Sequence, residues 1–205
     1  MKVFIVSSQK GGTGKSTLTV NLAALECQNK HSKVAVLDLD PQGSSIFWKS
    51  VRQSPEPKVL TVEPDSLLMT LSELEDDGYT HVWVDFPPVQ KKWVRKSLQY
   101  ADLVIIPTRA SPFDLHSGSL TLDWAKEIGN KVVWVINGAS VTSKTAEMVL
   151  HTLKKEAPVC NTIIHERNDF VLSIGLGLGV IEYAPKSKAA SELKQLHQEI
   201  QRLSK

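Results

Sequence analysis

Residues 9–17 read Gln-Lys-Gly-Gly-Thr-Gly-Lys-Ser-Thr, directly behind an apolar run at 3–6 and ahead of a helix-like segment. Strand, glycine-rich turn and helix in that order make a phosphate-binding loop. The backbone N–H groups of Gly12, Thr13, Gly14 and Lys15 can wrap a phosphate, and the amino end of the following helix adds partial positive charge. Lys15 would reach the β- and γ-phosphates and the Ser16 hydroxyl would hold Mg²⁺. The ordinary spacing G-x-x-x-x-G-K-[ST] is not met, because Gln9 stands at its first glycine and a second lysine, Lys10, leads the loop. Three carboxylates sit at the ends of apolar runs. Asp38 and Asp40 follow 33–37 in the string D-L-D-P-Q-G, where alternation puts both on one side, and Asp85 follows 80–84. Carboxylates at strand ends beside a phosphate loop are placed to organise Mg²⁺ and an attacking water. D-P-Q-G is also a good turn in its own right, and an Asp at a strand end is common. The loop upstream is what gives these acids their catalytic reading.

The elements that must position them alternate along the chain. Apolar strand patterns fall at 33–37, 59–62, 80–84, 102–107, 131–137 and 159–164. Helical patterns fall at 16–30 (Leu18, Leu22, Leu25), 44–52, 66–74 (Leu67, Leu68, Leu71, Leu74 as one stripe), 90–100, 120–128 and 142–157. Residues 175–179, Gly-Leu-Gly-Leu-Gly, are not the G-x-G-x-x-G of a dinucleotide site and read as a flexible loop before a closing helix. This alternation predicts an α/β fold: a doubly wound, mostly parallel sheet with helices on both faces, in one domain over 1–205. In the helix at 90–100, Val94, Leu98 and Ala101 face inward while Lys91, Lys92, Arg95 and Lys96 share the opposite face, either as a solvated surface or as a polyanion contact.

Composition narrows the classes further. The net charge of +2 over 205 residues requires any nucleic-acid affinity to come from a local patch. No apolar run approaches about 20 residues and no export signal precedes the first strand, so a cytoplasmic protein is expected. The two cysteines, Cys27 and Cys160, form no C-x-x-C pair, and neither a disulfide framework nor a zinc or iron–sulfur site is indicated.

The string K-G-G-x-G-K-[ST], together with D-x-D-P-Q-G, resembles the deviant Walker loop and second signature of the ParA/MinD family of ATPases, most like the short ParA-type partition proteins. The resemblance implies a P-loop NTPase fold and an ATP site formed by Gly11, Gly12, Thr13, Gly14, Lys15, Ser16 and Thr17. It implies that Asp40 orients the catalytic water, that Asp38, Asp85 and Ser16 belong to the Mg²⁺ shell, and that Asn137 hydrogen-bonds the adenine. A strand-ending Asn is otherwise an ordinary turn residue. In such proteins ATP drives a sandwich homodimer in which the signature lysine, here Lys10, crosses to the partner's phosphates. The dimer binds DNA without sequence preference, and a ParB-like adaptor stimulates hydrolysis, which makes a nucleoid-associated protein the expectation. Residues 108–115 resemble the segment beside the nucleotide and dimer face, where Asp114 matches a recurrent position with no role assigned, and 180–190 resemble the family's C-terminal segment. The DNA contacts are expected first at Arg167, Lys186 and Lys188 and second on the face of Lys91, Lys92, Arg95 and Lys96. The chain opens at its first strand, so no helix-turn-helix extension for operator binding is expected.

Other classes make distinguishable demands. A MinD-like membrane-cycling ATPase would need a terminal membrane helix. Ala189, Leu193, Leu196, Ile200 and Leu203 do form a stripe, but without Trp or Phe and with Glu192 and Glu199 diluting its basic face, so core packing is expected and membrane binding is not. A nitrogenase-reductase-like ATPase would carry cysteine pairs. A biosynthetic P-loop enzyme, such as a dethiobiotin-synthetase-like ligase, would turn over ATP with a small substrate and not in response to DNA. The cargo, whether plasmid, chromosome or large complex, is left open.

Overall fold

The computed structural model describes residues 1–142, 144–155 and 157–205. Seven strands, β1 (Lys2–Val6), β2 (Val34–Asp38), β3 (Lys58–Thr61), β4 (His81–Asp85), β5 (Leu103–Thr108), β6 (Val132–Ala139) and β7 (Ile164–His165), form one sheet in the order β3-β2-β4-β1-β5-β6-β7. Every pairing between them is parallel. The central strands are apolar on both faces, as a parallel sheet covered on both sides requires. Successive β1 residues divide between two cores: Val3 and Ile5 join one, Phe4 and Val6 the other.

The helices are α1 (Lys15–Glu26), α2 (Ser44–Val51), α3 (Leu67–Asp76), α4 (Lys92–Ser97), α5 (Pro112–Ile128), α6 (Thr145–Leu153), α7 (Asn168–Gly175), α8 (Val180–Tyr183) and α9 (Lys188–Leu203). One core holds Leu71 and Leu74 of α3, Val94 of α4 and Leu122 of α5. The other holds Leu18 and Leu22 of α1 and the α9 stripe Ala189, Leu193, Leu196 and Ile200, each fully buried. Four of the five stripe residues are thus core, Leu203 at the end of α9 being 38% exposed, and among the described residues no helix is long and apolar enough to cross a membrane.

Several expected elements differ in extent. α1 stops at Glu26, because 28–32 fold into turns in which the Asn29 side chain accepts the His31 N–H at 3.1 Å. Leu68 is 56% exposed, lying one residue and about 100° off the buried row of Leu67, Leu71 and Leu74. α5 begins at Pro112 rather than near 120, since Ser111 accepts the Asp114 N–H and proline suits a first helical turn. Of the helix expected over 142–157, Thr145–Leu153 is helical, and residues 143 and 156 lie outside the described residues.

The strand expected over 159–164 is reduced to Ile164–His165 and a bridge from Val159 to Trp134. Between them the N–H groups of Asn161 and Thr162 are taken by the Glu199 carboxylate at 2.6 and 2.9 Å, so a side chain of α9 satisfies what a neighbouring strand would have. Of the glycine-rich stretch expected to be a flexible loop, Gly175 ends α7 and Leu176 is exposed, while 177–179 are closely packed. A Cβ on Gly177 would meet the Arg52 backbone at 2.5 Å, Trp48 Nε1 donates to the Leu178 carbonyl at 3.1 Å, and α7 leads directly into the stretch.

Candidate active site at the carboxyl edge of the sheet

Parallel register places Val6 of β1, Asp85 of β4 and Asp38 of β2 side by side at the carboxyl ends of their strands. The loop leaving β1 therefore opens onto both acids, in the crevice where open α/β sheets bind ligands. Gly14 caps α1 in the left-handed conformation (φ 87°), and no side chain caps the helix. The first-turn N–H groups are left for an anion. A Cβ at position 14 would also lie 2.0 Å from Asn137 Nδ2, so only glycine admits this contact.

A cavity of about 630 Å³ lies over the loop, with Gly12, Lys15, Ser16, Thr17, Asp40 and Phe47 among its walls. Lys15 is buried, and its Nζ donates to the Lys10 carbonyl across the loop at 3.2 Å. Burial lowers its pKa, while Asp85 and Asp40 act to raise it. Gly11, Gly12 and Thr13 form the turn between the two lysines, and the Thr13 hydroxyl reaches the Lys10 carbonyl at 3.5 Å.

The carboxylates have distinct environments. Asp38 is fully buried and accepts three backbone N–H groups: Asp40 (3.0 Å) on Oδ1, and Ser45 (3.0 Å) and Ile46 (3.1 Å) on Oδ2. It thereby caps α2. Burial raises its pKa; the three N–H groups oppose that rise, and the Asp40 charge adds to it. Asp85 is also fully buried, with Oδ2 accepting the Ser45 hydroxyl at 2.9 Å and Oδ1 completing no hydrogen bond. Burial pushes it up to about 7; the nearby Ser16 hydroxyl counters, the Asp38 charge adds to the rise, and Ser45 and Lys15 favour ionisation. Asp40 lies beyond the end of β2, half-buried, in a turn where its Oδ1 accepts the Gln42 N–H at 3.0 Å. Strand alternation does not place it; the turn does, on the cavity wall.

These residues suit Mg²⁺. A buried carboxylate oxygen without a partner is costly unless something else solvates it, and Asp85 Oδ1 is such an atom, on a carboxylate that the Ser16 hydroxyl acts on. Among the described residues no three His, Cys, Asp or Glu side chains form a metal cage. Mg²⁺ usually keeps several waters and is held through one or two carboxylates and substrate phosphates. Ser16, Asp85 and Asp38 would hold it, and it would supply charge neutralisation at the phosphates.

Other expected residues are placed differently. Asn137 donates its amide to the Thr13 carbonyl at 2.7 Å and so braces the loop, leaving its Oδ1 for any contact with a base. Lys10 is 44% exposed and pairs with Asp114 of α5 at 2.7 Å. Burial works to raise the Asp114 pKa, but Lys10, Ser111 and Arg109 outweigh it and hold the group below the usual carboxylate range. Arg109, in the segment 108–115 but assigned no role there, donates to the Gly12 carbonyl at 3.0 Å as a second brace.

Of the three expected DNA contacts, Lys186 and Lys188 are exposed at the start of α9. The Arg167 guanidinium is engaged, with Nη2 2.5 Å from Glu192 Oε1 and Nε within 3.3 Å of both oxygens. On α4, Lys92 and Lys96, with Lys91 just before the helix, are exposed, and Arg95 pairs with Glu127 at 2.7 Å.

The model of the CobQ/CobB/MinD/ParA nucleotide binding domain matches residues 4–196. Protein ParA of Rhizobium radiobacter is 35% identical over 129 residues, covering 62% of this chain and 57% of that protein's length. Maintenance of carboxysome distribution protein A of Halothiobacillus neapolitanus is 25% identical over 206 residues, 95% of this chain and 94% of that one. In fold, the septum site-determining protein MinD of Pyrococcus horikoshii OT3, complexed with Mg-ADP, superposes with a TM-score of 0.76 at 17% identity, covering 99% and 97% of the two chains.

Proposed function

The chain belongs to the CobQ/CobB/MinD/ParA nucleotide-binding family, whose members include ATPases working with ATP and Mg²⁺, and from that premise we propose that it is a ParA-type positioning ATPase. In this reading Mg-ATP seats on the loop, two copies close face to face, and the dimer binds DNA without sequence preference at the nucleoid. A ParB-like adaptor then stimulates hydrolysis and releases the dimer, so that a plasmid, chromosome or large complex is segregated or spaced. The observation that carries the hydrolytic part is that Lys15, Ser16 and Asp40 line one cavity, with the buried Asp85 carboxylate close enough to Ser16 and Lys15 to feel both. The positioning part rests on the relatives, named for ParA and for carboxysome distribution.

The residues divide the work by charge and access. Lys15 and the α1 amino end hold the β- and γ-phosphates. Asp40, half-exposed on the wall, orients the attacking water, while Asp38 and Asp85 are too deeply seated to reach it. Lys10 stands at the rim, tethered to Asp114, and is free to cross to a partner's phosphates once that pair opens. A MinD-like use of α9 on a membrane would first have to extract a fully buried stripe from the core, which favours the DNA reading.

The test is salt-dependent binding of the ATP-state protein to random-sequence duplex. Phosphate contacts position without reading bases, so no sequence preference is expected. Each neutralised phosphate contributes about −0.9 to the slope of log K against log salt. Lys186→Ala/Lys188→Ala removes up to two contacts per subunit and should flatten the dimer's slope by about 3 to 4. An unchanged slope would move the contact to Lys91, Lys92 and Lys96. No ATP-dependent binding in the wild type would sink the DNA reading and favour a membrane or biosynthetic role.

A further inference from the structure

Ser45 belongs to none of the motifs, yet it is fully buried between the two strand-end acids. Its hydroxyl donates to Asp85 Oδ2 at 2.9 Å, and its backbone N–H donates to Asp38 Oδ2 at 3.0 Å. One residue in the first turn of α2 therefore touches carboxylates on two adjacent strands. The terminal torsion of an aspartate is broad and roughly two-fold, so nothing in Asp85 itself fixes the tilt of its carboxylate. Ser45 engages Oδ2 from the α2 side, the Ser16 hydroxyl approaches the same carboxylate from the phosphate loop, and Oδ1 completes no hydrogen bond.

We propose that Ser45 is a positioning residue for the Mg²⁺ site: it holds the Asp85 carboxylate so that Oδ1 is presented to a water of the Mg²⁺ shell, and it ties that carboxylate to α2. The inference rests on the Mg-nucleotide reading of the cavity. Groups that orient metal-binding carboxylates without touching the metal typically account for 10- to 100-fold in affinity. A hydroxyl that merely satisfied its own burial would affect stability and leave metal affinity alone.

The experiment is a Mn²⁺ titration followed by EPR on the ADP complex of the full chain, with ADP affinity in EDTA measured alongside. Ser45→Ala should weaken Mn²⁺ binding about 10-fold while leaving metal-free ADP affinity unchanged. Ser45→Thr, which keeps the hydroxyl, should stay close to wild type. Ser45→Cys fills the site with a weak donor, should fall between the two, and serves if the alanine variant does not fold. Wild-type Mn²⁺ affinity in Ser45→Ala or Ser45→Cys, or equal losses in ADP and Mn²⁺ binding, overturns the proposal. Asp85→Asn is the control for the premise: if it too binds Mn²⁺ normally, the metal reading of the cavity falls, and this proposal with it.

Discussion

At the scale of single residues, the two functional lysines and Asp40 predict separable failures. Lys15 is the buried cation on the cavity wall, and Lys15→Ala should abolish ATP binding. Asp40 contacts the protein through a turn and not through the phosphate loop, so Asp40→Ala should bind ATP and dimerise while hydrolysing it about 100-fold or more slowly. A labelled ATP analogue and a phosphate-release assay read the two separately. Lost binding in Asp40→Ala with normal turnover in Lys15→Ala would reverse the assignments. Lys10 takes part in a different step. Its ammonium is held by Asp114 of its own chain, and a partner's phosphates must outcompete that buried carboxylate. Lys10→Ala should therefore take up nucleotide but stay monomeric, whereas Asp114→Asn should dimerise at lower protein concentration. Sedimentation with a non-hydrolysable analogue checks both, and a wild-type dimer from Lys10→Ala would leave Lys10 a structural residue.

At the scale of elements, α2 links the site to the C-terminal third. Its first turn is held by Asp38 and Asp85, while at its far end Arg52 donates to the Gly177 carbonyl at 2.8 Å and to both Glu182 oxygens at 2.7 and 2.8 Å, with the guanidinium 4.7 Å from the Trp48 ring. The Arg52 side chain is 2% exposed, and breaking a buried pair strands the partner's charge. Arg52→Ala should cost about 3 to 5 kcal/mol, seen as a fall in Tm of roughly 10 °C, and Gly177→Ala should be comparably harmful through backbone collision. A loss below about 1 kcal/mol in both would mean the clamp is not needed. This clamp was invisible in the sequence. The phosphate loop, Asp38 and Asp85 were legible because each lies at a strand end whose apolar run announces it, and Asp40 because its turn follows directly. Arg52 and Gly177, by contrast, are 125 positions apart, and a glycine repeat signals freedom when its neighbours are unknown. Here the missing Cβ is used for close approach. The Glu199 and Glu192 contacts were hidden in the same way. On a helical wheel they dilute a basic face; in the fold they bind the backbone of 161–162 and of His165, and Glu192 also neutralises Arg167.

At the scale of the whole molecule, the sheet is closed on one side by α9, and besides the Glu192 and Glu199 contacts a buried carboxylate on α1 fastens that closure. Glu26, at the end of α1, accepts from His197 of α9 at 2.6 Å, from Gln201 at 2.9 Å and from the Ser32 hydroxyl at 2.7 Å, with His81 of β4 at 3.8 Å. Burial works to raise its pKa, but the hydrogen bonds from His197 and Ser32 and the charges of His81 and His197 outweigh it and bring it to about 2. A carboxylate whose folded pKa lies below its unfolded value stabilises the fold fully above the unfolded value, and loses that contribution as pH falls toward the folded one. The window here runs from about pH 4.5 down to about pH 2, and the contribution above it is on the order of 3 kcal/mol. Urea unfolding should find wild type more stable than Glu26→Gln above pH 4.5, by less at pH 7, where His81 is neutral, than the full contribution. The gap should narrow steadily below pH 4.5, because the amide cannot ionise and the wild-type carboxylate is being protonated. A gap independent of pH between 7 and 3 would mean that α9 is held by its apolar stripe and by Glu192 and Glu199, and that the Glu26 cluster only completes hydrogen bonds.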